Sequence, residues 1–430
     1  MTGVSDTQHP GRQRPAGALP DTTEVLVVGA GPAGSSAAAW AARSGRDVVL
    51  ADAAEFPRDK TCGDGLTPRA IAELDRLGLG DWVREHTRSR GLRLIGFGHT
   101  HELEWPAGPF PTVGSAVRRT EFDDRVRAQA AEEGATVVAR ARAVDVERSA
   151  GRVTAVVFDT PDGTRTVRCR TLVVADGVRS PLGKVLGRRW HRDTAYGVAA
   201  RSYVATPHSD DPWITSHLEL RGDDGTLHPG YGWIFPLGSG IGGGDVNLGV
   251  GTLATSKRGA PGALRPLLDS YVSRMRDEWD FTTPPRDVTS ALLPMGGAVS
   301  GVAGPNWALV GDAAACVNPL NGEGIDYGLE GGRLLAHLLD EPDLAVAWPA
   351  TLREHYGRAF SVARRLAAIV TVPRVLPAAG PVAMRSRLAM TAAVRVMGNL
   401  VDDADADLTA RLWRGAGTAS RALDRRPLFA

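Results

Sequence analysis

With 430 residues, 43% hydrophobic and 23% charged, the chain is far longer than a small binding module and has enough apolar side chains for two packed layers or domains. Fifty Lys and Arg against 49 Asp and Glu leave a formal charge of +1, which removes the broad electrostatic ground for a nucleic-acid partner. The three cysteines, Cys62, Cys169 and Cys316, are widely spaced without a C-x-x-C pair, and the ten histidines form no H-x-x-x-H pair on a helix. This excludes a disulfide framework and a four-ligand zinc site; no metal is expected, and a cytoplasmic, reducing location is.

Residues 1–21 are polar and rich in Pro and Gly with no apolar core, and read as a disordered tail rather than a signal peptide. EVLVV (24–28) is a continuous β-branched run suited to a strand buried on both faces. An Ala-rich helix from Pro32 to Arg43 and a second buried strand, DVVLAD, complete a β-α-β unit. Thr67-Pro68 ahead of RAIAELDRL and Gly78 predicts a helix with Thr67 as its N-cap. Loose alternation between Gly91 and Pro106 predicts a two-stranded excursion, and 120–134 a helix capped by Thr120. Strand candidates follow at 136–147, 152–158, 171–175, 195–205, 214–220, 231–236, 246–252 and 307–312. From 349 to 422 the pattern is helical, with breaks expected at Pro373, Pro377 and Pro381. No run of 18 uninterrupted apolar residues predicts a membrane span.

The string Gly29-Ala30-Gly31-Pro32-Ala33-Gly34 follows a strand and opens a helix, the context of a dinucleotide-phosphate site. Gly29 permits the turn, Gly31 lets a pyrophosphate approach, Gly34 permits close helix–strand packing, and Asp52 ends the second strand where a carboxylate meets ribose hydroxyls. This fingerprint alone does not separate NAD from FAD. Two further segments, TLVVADGVRSPLGK (171–184) and ALVGDAAACVNPLNGEGIDYGLEGG (308–332), resemble signature motifs of FAD-dependent oxidoreductases with the p-hydroxybenzoate hydroxylase fold. The resemblance implies FAD as cofactor, with Asp312 on a ribityl hydroxyl, backbone N–H groups of Gly322, Gly324 and Ile325 at the flavin pyrimidine edge, and Arg119 on the cofactor. It also implies an α/β architecture: a discontinuous Rossmann-like FAD domain (22–85, 110–190 and 285–348), a β-sheet substrate domain (86–109 and 191–284) and a helical C-terminal region (349–430).

PRDKTCGDGLTPRAI (57–71), PGYGWIFPL (229–237) and GDAAACVNPLNGEGIDYG (311–328) narrow the resemblance to the geranylgeranyl reductase family, including its bacterial menaquinone side-chain reductases. The family pattern implies that Cys62, Gly63 and Asp64 lie beside the flavin and that Tyr231, Trp233, Phe235 and Pro236 line the substrate cavity. On the residues alone, Cys62 reads equally as packing, and the face shared by Tyr231 and Trp233 equally as core. Related hydroxylases carry a histidine where Ala315 stands, and halogenases a lysine where Arg93 stands. Reduction of an isoprenoid double bond is the expected activity; the alternative is a flavin-dependent tailoring oxidoreductase or monooxygenase of specialised metabolism.

The expected reaction combines hydride delivery from reduced flavin with protonation of the alkene, the acid being Asp64, Cys62 or Tyr231 and the aromatic faces of Tyr231 and Trp233 tolerating positive charge. No second glycine fingerprint marks a resident nicotinamide domain, so NAD(P)H or reduced ferredoxin is expected as a transient donor, the latter as a separate protein partner. Scattered Arg192, Arg201, Arg221 and Lys257 form no diphosphate clamp, which favours a neutral, apolar quinone chain as substrate. The arginine-bearing apolar stretch 360–400 reads equally as a peripheral contact with the inner face of the membrane and as a cap on the substrate domain.

Overall fold

An apolar run with no polar face has to be covered on both sides, and EVLVV lies in the middle of a parallel sheet. In the computed structural model, which describes residues 18–239, 244–260, 263–402 and 404–430, Val25, Leu26 and Val27 are fully buried. Of the expected tail, residues 1–17 lie outside the described residues. The strand Thr22–Val28 pairs in parallel with Val48–Ala51 on one side and Gly163–Val174 on the other, and Thr136–Val138 and Trp307–Leu309 extend the sheet outward. Successive connections thus leave the first strand towards opposite flanks, which opens a crevice beyond its carboxyl end. Helix Pro32–Arg43 crosses between the first two strands and packs on helix Ile325–Ala336, where Ser36 Oγ donates to the Leu329 carbonyl at 2.7 Å.

The second sheet has seven strands in the order Arg286–Leu293, Tyr196–Ala205, Asp245–Ala254, Gly230–Pro236, Trp213–His217, Gly91–Gly96 and His99–Glu104. The 91–106 excursion is a hairpin that joins this sheet through a parallel pairing with Trp213–His217. Helix Arg265–Met275 covers one face, packing Leu268 and Tyr271 against Val246, Leu248 and Val250. The expected boundary at 284 needs correction, because Arg286–Leu293 is hydrogen-bonded along Tyr196–Ala205 and belongs to the second sheet, not to the dinucleotide fold. Its side chains are only half-buried, so it lacks the apolar signature of a core strand.

The C-terminal helices run Leu344–His355, Gly357–Val370, Val375–Met384, Arg387–Met397 and Leu408–Ala422. Met384, Met390 and Val394 form a small core with Leu94, Leu103, Trp105 and Ile214 of the hairpin side. Of the three expected proline breaks only Pro373 interrupts the chain; Pro377 sits in the first turn of Val375–Met384, where its missing N–H has no helical partner, and Pro381 lies inside that helix. Tertiary packing fixes the segment: a Cβ on Gly380 would stand 2.4 Å from the Phe97 ring, so the two surfaces meet without a side chain between them. Thr120 is likewise not a cap, since the helix Arg119–Glu132 starts one residue earlier and Phe122 N–H bonds the Arg118 carbonyl. The strand expected over 136–147 is two strands, Thr136–Val138 and Arg142–Ser149, separated at Arg140, whose φ is 56°.

Candidate active site

One cavity of about 840 Å³ runs from the Gly29–Ala33 turn, past the Cys62–Gly63 loop, to the aromatic strand Gly230–Pro236 and helix Arg387–Met397. The fingerprint glycines divide by what a side chain would meet. A Cβ on Gly34 would lie 1.8 Å from the Gly29 carbonyl oxygen, and one on Gly29, whose φ is 102°, 2.3 Å from the Ala175 carbonyl oxygen. Both are demanded by packing. A Cβ on Gly31 would meet one atom only, an Arg58 guanidinium nitrogen at 3.5 Å, and otherwise would project into the cavity. Protein packing does not require that glycine; room for a group lying against the helix N-terminus does.

Asp52 is held at the rim by two backbone donors, Ala30 N–H at 2.6 Å and Ala54 N–H at 2.7 Å, which fixes its carboxylate across the turn. Gly29, Gly31, Ala33, Asp52, Arg119 and Asp312 all line the cavity, as do Gly322, Gly324 and Ile325 at the opposite wall. Gly34 does not; its place is between helix and strand. Arg119 is buried and bidentate to Asp123 (2.6 and 2.7 Å), with the Cys62 thiol as a further hydrogen-bond partner, so its guanidinium is oriented by protein groups. Asp312 pairs with Lys60 Nζ at 3.1 Å. Asp176 closes the helix Pro181–Val185, accepting from Ser180 and from Leu182 N–H.

The aromatic strand pairs antiparallel with Asp245–Ala254 in a register that sets Trp233 opposite Gly249 and Tyr231 opposite Gly251. A Cβ on Gly249 would lie 2.2 Å from the Trp233 ring, so the indole lies flat over the neighbouring strand and leaves its face to the cavity. Trp233 Nε1 donates to Asn247 Oδ1 (3.0 Å), and Asn247 Nδ2 donates to both the Cys62 carbonyl and Asp64 Oδ2, each at 2.8 Å. Tyr231 hydroxyl donates to the Asn321 carbonyl, tying the aromatic strand to the loop before helix Ile325–Ala336. Cys62, Gly63, Tyr231 and Trp233 therefore meet at one place in the cavity.

Asp64 corrects the expectation that it faces substrate. It is fully buried and off the cavity wall, its Oδ2 accepting from Tyr203 hydroxyl (2.7 Å) and Asn247 while Oδ1 has no partner. Burial pushes its carboxyl up to about 6, against the lowering effect of those donors. Through Asn247 its carboxylate is tied to the carbonyl of Cys62 in the same loop. Asn247, Tyr203 and the Thr67–Glu323 hydrogen bond are the parts sequence reasoning missed; Thr67 is at the N-cap position but its hydroxyl donates to Glu323 instead of the helix.

The parallel sheet, the crevice at its carboxyl end and the seven-stranded second sheet together define a flavoprotein of the p-hydroxybenzoate hydroxylase fold. A family model described as an FAD binding domain matches residues 22–229. The menaquinone reductase of Mycobacterium tuberculosis (strain ATCC 25618 / H37Rv) is 63% identical over 95% of this chain and 99% of its own. Digeranylgeranylglycerophospholipid reductase 1 of Methanopyrus kandleri is 30% identical over 78% of this chain and 86% of its own. A geranylgeranyl bacteriochlorophyll reductase-like protein of Thermoplasma acidophilum has the same fold, with a TM-score of 0.72 at 22% identity over 88% of this chain and 98% of that one. The chain belongs to the geranylgeranyl reductase family of FAD-dependent oxidoreductases and groups with its bacterial menaquinone reductases.

Two outcomes follow. Gly31→Ala should leave the melting temperature of FAD-free protein unchanged while weakening FAD binding, measured by flavin fluorescence, whereas Gly34→Ala should lower the melting temperature itself. Because the folded pKa of Asp64 lies above its unfolded value, its protonated form favours folding and that contribution is lost as pH rises from about 4 to about 6. Asp64→Asn should therefore gain in melting temperature relative to the wild type across that window, with no further gain above it.

Proposed function

We propose that the protein saturates a carbon–carbon double bond in the isoprenoid side chain of a membrane quinone of the menaquinone type. The observation that carries this reading is the continuity of the cavity: its cofactor end, built on the Gly29–Ala33 turn, passes without a wall into an end lined by Leu92, Leu94, Trp105, Ile214, Met390 and Val394. An apolar channel of that kind suits a polyprenyl chain, and the identity with menaquinone reductases supports the quinone.

FAD, when bound and reduced, supplies the hydride. Gly31, Asp52, Asp312 and the loop Gly322–Ile325 would hold it, with Cys62 and Gly63 beside its ring system. Tyr231 and Trp233 present ring faces, 6.0 Å apart between centroids, to the same space, so positive charge developing on an alkene carbon meets aromatic faces rather than water. Tyr231 directs its own proton to the Asn321 carbonyl, and burial raises its phenol further, which suits it to shape the site.

A quinone ranks above a prenyl diphosphate because, of the four scattered cations Arg192, Arg201, Arg221 and Lys257, the three arginines are turned to other groups. Arg201 is fully buried on Asp59 and the Asp287 carbonyl, Arg221 is paired with Glu219, and Arg192 lies over the Trp190 ring. Arg93, at the place of the halogenase lysine, is bound to Glu102 and Asp211, both at 2.9 Å.

Among the described residues no single helix is long and apolar enough to cross a membrane; Gly357–Val370 and Val375–Met384 meet that test only together, across a bend of 112°. Peripheral contact is supported by exposed Ile369, Val382 and Leu388 among exposed Arg374, Arg385 and Arg387. Helix Arg387–Met397 carries Leu388 on its outer side and Met390, Val394 and Met397 on the cavity wall, so lipid and channel lie on either side of one helix. The flavin would be reduced by a nicotinamide or by a separate donor protein visiting transiently.

Anaerobic reduced enzyme given menaquinone, geranylgeranyl diphosphate and digeranylgeranyl lipid should add two hydrogens, read by mass spectrometry, to menaquinone in preference. Turnover of the diphosphate with none of the quinone would reverse the ranking. Bleaching of the flavin by NADPH or NADH alone would remove the need for a donor protein. Leu388→Asp with Val382→Asp should reduce sedimentation with anionic liposomes at low salt, and a wild type that stays in the supernatant would count against membrane docking.

A further inference from the structure

Glu323 lies at the turn before helix Ile325–Ala336 and lines the main cavity. Its two oxygens are held by neutral donors, Oε1 by the Thr67 hydroxyl and Oε2 by Asn321 Nδ2 at 3.2 Å. Arg69, the neighbouring guanidinium, is directed instead at both oxygens of Glu330, each at 2.9 Å. Three residues after Glu323, on the first turn of the same helix, Asp326 is fully buried; its Oδ2 accepts from Asn399 Nδ2 at 2.9 Å and its Oδ1 has no partner. Asn399 in turn lines a second cavity of about 250 Å³, walled also by Asn318, Tyr327, Asp402 and the exposed His355. Asp326, held by Asn399 on the wall of the second cavity, thus stands between that cavity, on the side of the C-terminal helices, and the carboxyl group on the wall of the substrate channel.

We propose that Glu323 is the acid of the reaction, giving its proton to one alkene carbon and recovering it from solvent through Asp326 and the second cavity. The proposal rests on the functional reading above. The balance is simple: the π bond is consumed, one carbon receives a hydride with both electrons from the reduced cofactor, the other carbon receives the Glu323 proton, and the carboxylate left behind takes a proton from the Asp326 side. Cys62, the thiol at the same place, lies beside the buried Arg119 guanidinium, its hydrogen-bond partner, and is turned to that cation.

The electrostatics agree with the geometry. Burial raises the Glu323 carboxyl well above the usual range and the charge of Asp326 raises it further, while burial brings Asp326 to about 6. The other groups facing Glu323 are Tyr231 from the aromatic strand, Tyr327 from helix Ile325–Ala336, and Arg69 from helix Pro68–Leu77, whose charge acts the opposite way. Burial and the Asp326 charge thus both favour the protonated form of Glu323, the state an acid needs.

The test uses full-length FAD-loaded enzyme, reduced anaerobically and mixed with menaquinone, following flavin reoxidation and the gain of two hydrogens. Glu323→Gln should slow reoxidation by about 10²- to 10⁴-fold with FAD content and quinone affinity retained, and Glu323→Asp should recover part of the rate. Removing the Asp326 charge in Asp326→Asn should lower the Glu323 pKa and move the alkaline limb of the pH–rate profile to lower pH. Infrared spectra of the oxidised enzyme at neutral pH should show a carboxylic-acid band that Glu323→Gln removes. An active wild type matched in rate by Glu323→Gln overturns the proposal alone, as does an alkaline limb unmoved in Asp326→Asn; a wild type inert toward menaquinone overturns the functional reading and the proposal with it.

Discussion

A single buried carboxamide joins the two halves of the site. Asn247 stands on the second sheet, and its three hydrogen bonds reach the Cys62 carbonyl and the Asp64 carboxylate on the loop from the dinucleotide fold and the Trp233 indole on the adjacent strand. The bonds to Asp64 and Trp233 are shielded from water, so losing either would leave a buried polar atom unsatisfied, at a cost of about 1–3 kcal/mol. Together with the Tyr203 hydroxyl on Asp64 and Arg201 on Asp59, the Asn247 side chain fixes the loop beside the cofactor against the aromatic wall of the channel. Asp64, in the left-handed region at φ 64°, turns the loop so that its own carboxylate points inward while Cys62 and Gly63 face the cavity.

The cavity between these halves changes character along its length. At the fingerprint end its walls carry Arg58, Lys60, Arg142 and Asp52 and the open first turn of a helix; at the other end they are leucine, methionine and tryptophan. Charge belongs where a dinucleotide lies and its absence where a hydrocarbon chain lies, so a single channel accepts two molecules of opposite polarity end to end. The cofactor end is built on a rigid parallel sheet, and the apolar end on a hairpin and a helix from distant parts of the chain that share one small core.

What the sequence made legible was local. Strand, glycine turn and helix over 24–43 are contiguous, and their packing needs are written in the residues themselves: Gly34 has no space for a side chain and Gly31 needs none taken. The family motifs carried the fold, the cofactor and the class of reaction, which the relatives bear out. Illegible were the features made by pairing across long separations. Asn247 lies 185 residues from Cys62, and Glu323 lies 256 from Thr67, so neither bond leaves a pattern in either segment. The strand Arg286–Leu293 was not foreseen, and its residues were placed in the FAD domain, because partial burial on both faces erases alternation; Pro377 and Pro381 entered a helix because packing against Phe97 outweighs local preference.

The loop ahead of Cys62 has a further consequence. Three consecutive charged residues reach three different elements: Arg58 pairs with Asp123 on helix Arg119–Glu132, Asp59 with Arg201 on the second sheet, and Lys60 with Asp312 after the strand Trp307–Leu309. The loop reads plus, minus, plus and its partners minus, plus, minus, so a one-residue slip would set like charges against each other at two of the three anchors and leave the third unpaired. Divergence at these sites must proceed in coupled pairs, 58 with 123, 59 with 201 and 60 with 312, and their joint variation would trace, in sequences alone, the three surfaces that enclose the cofactor end of the channel.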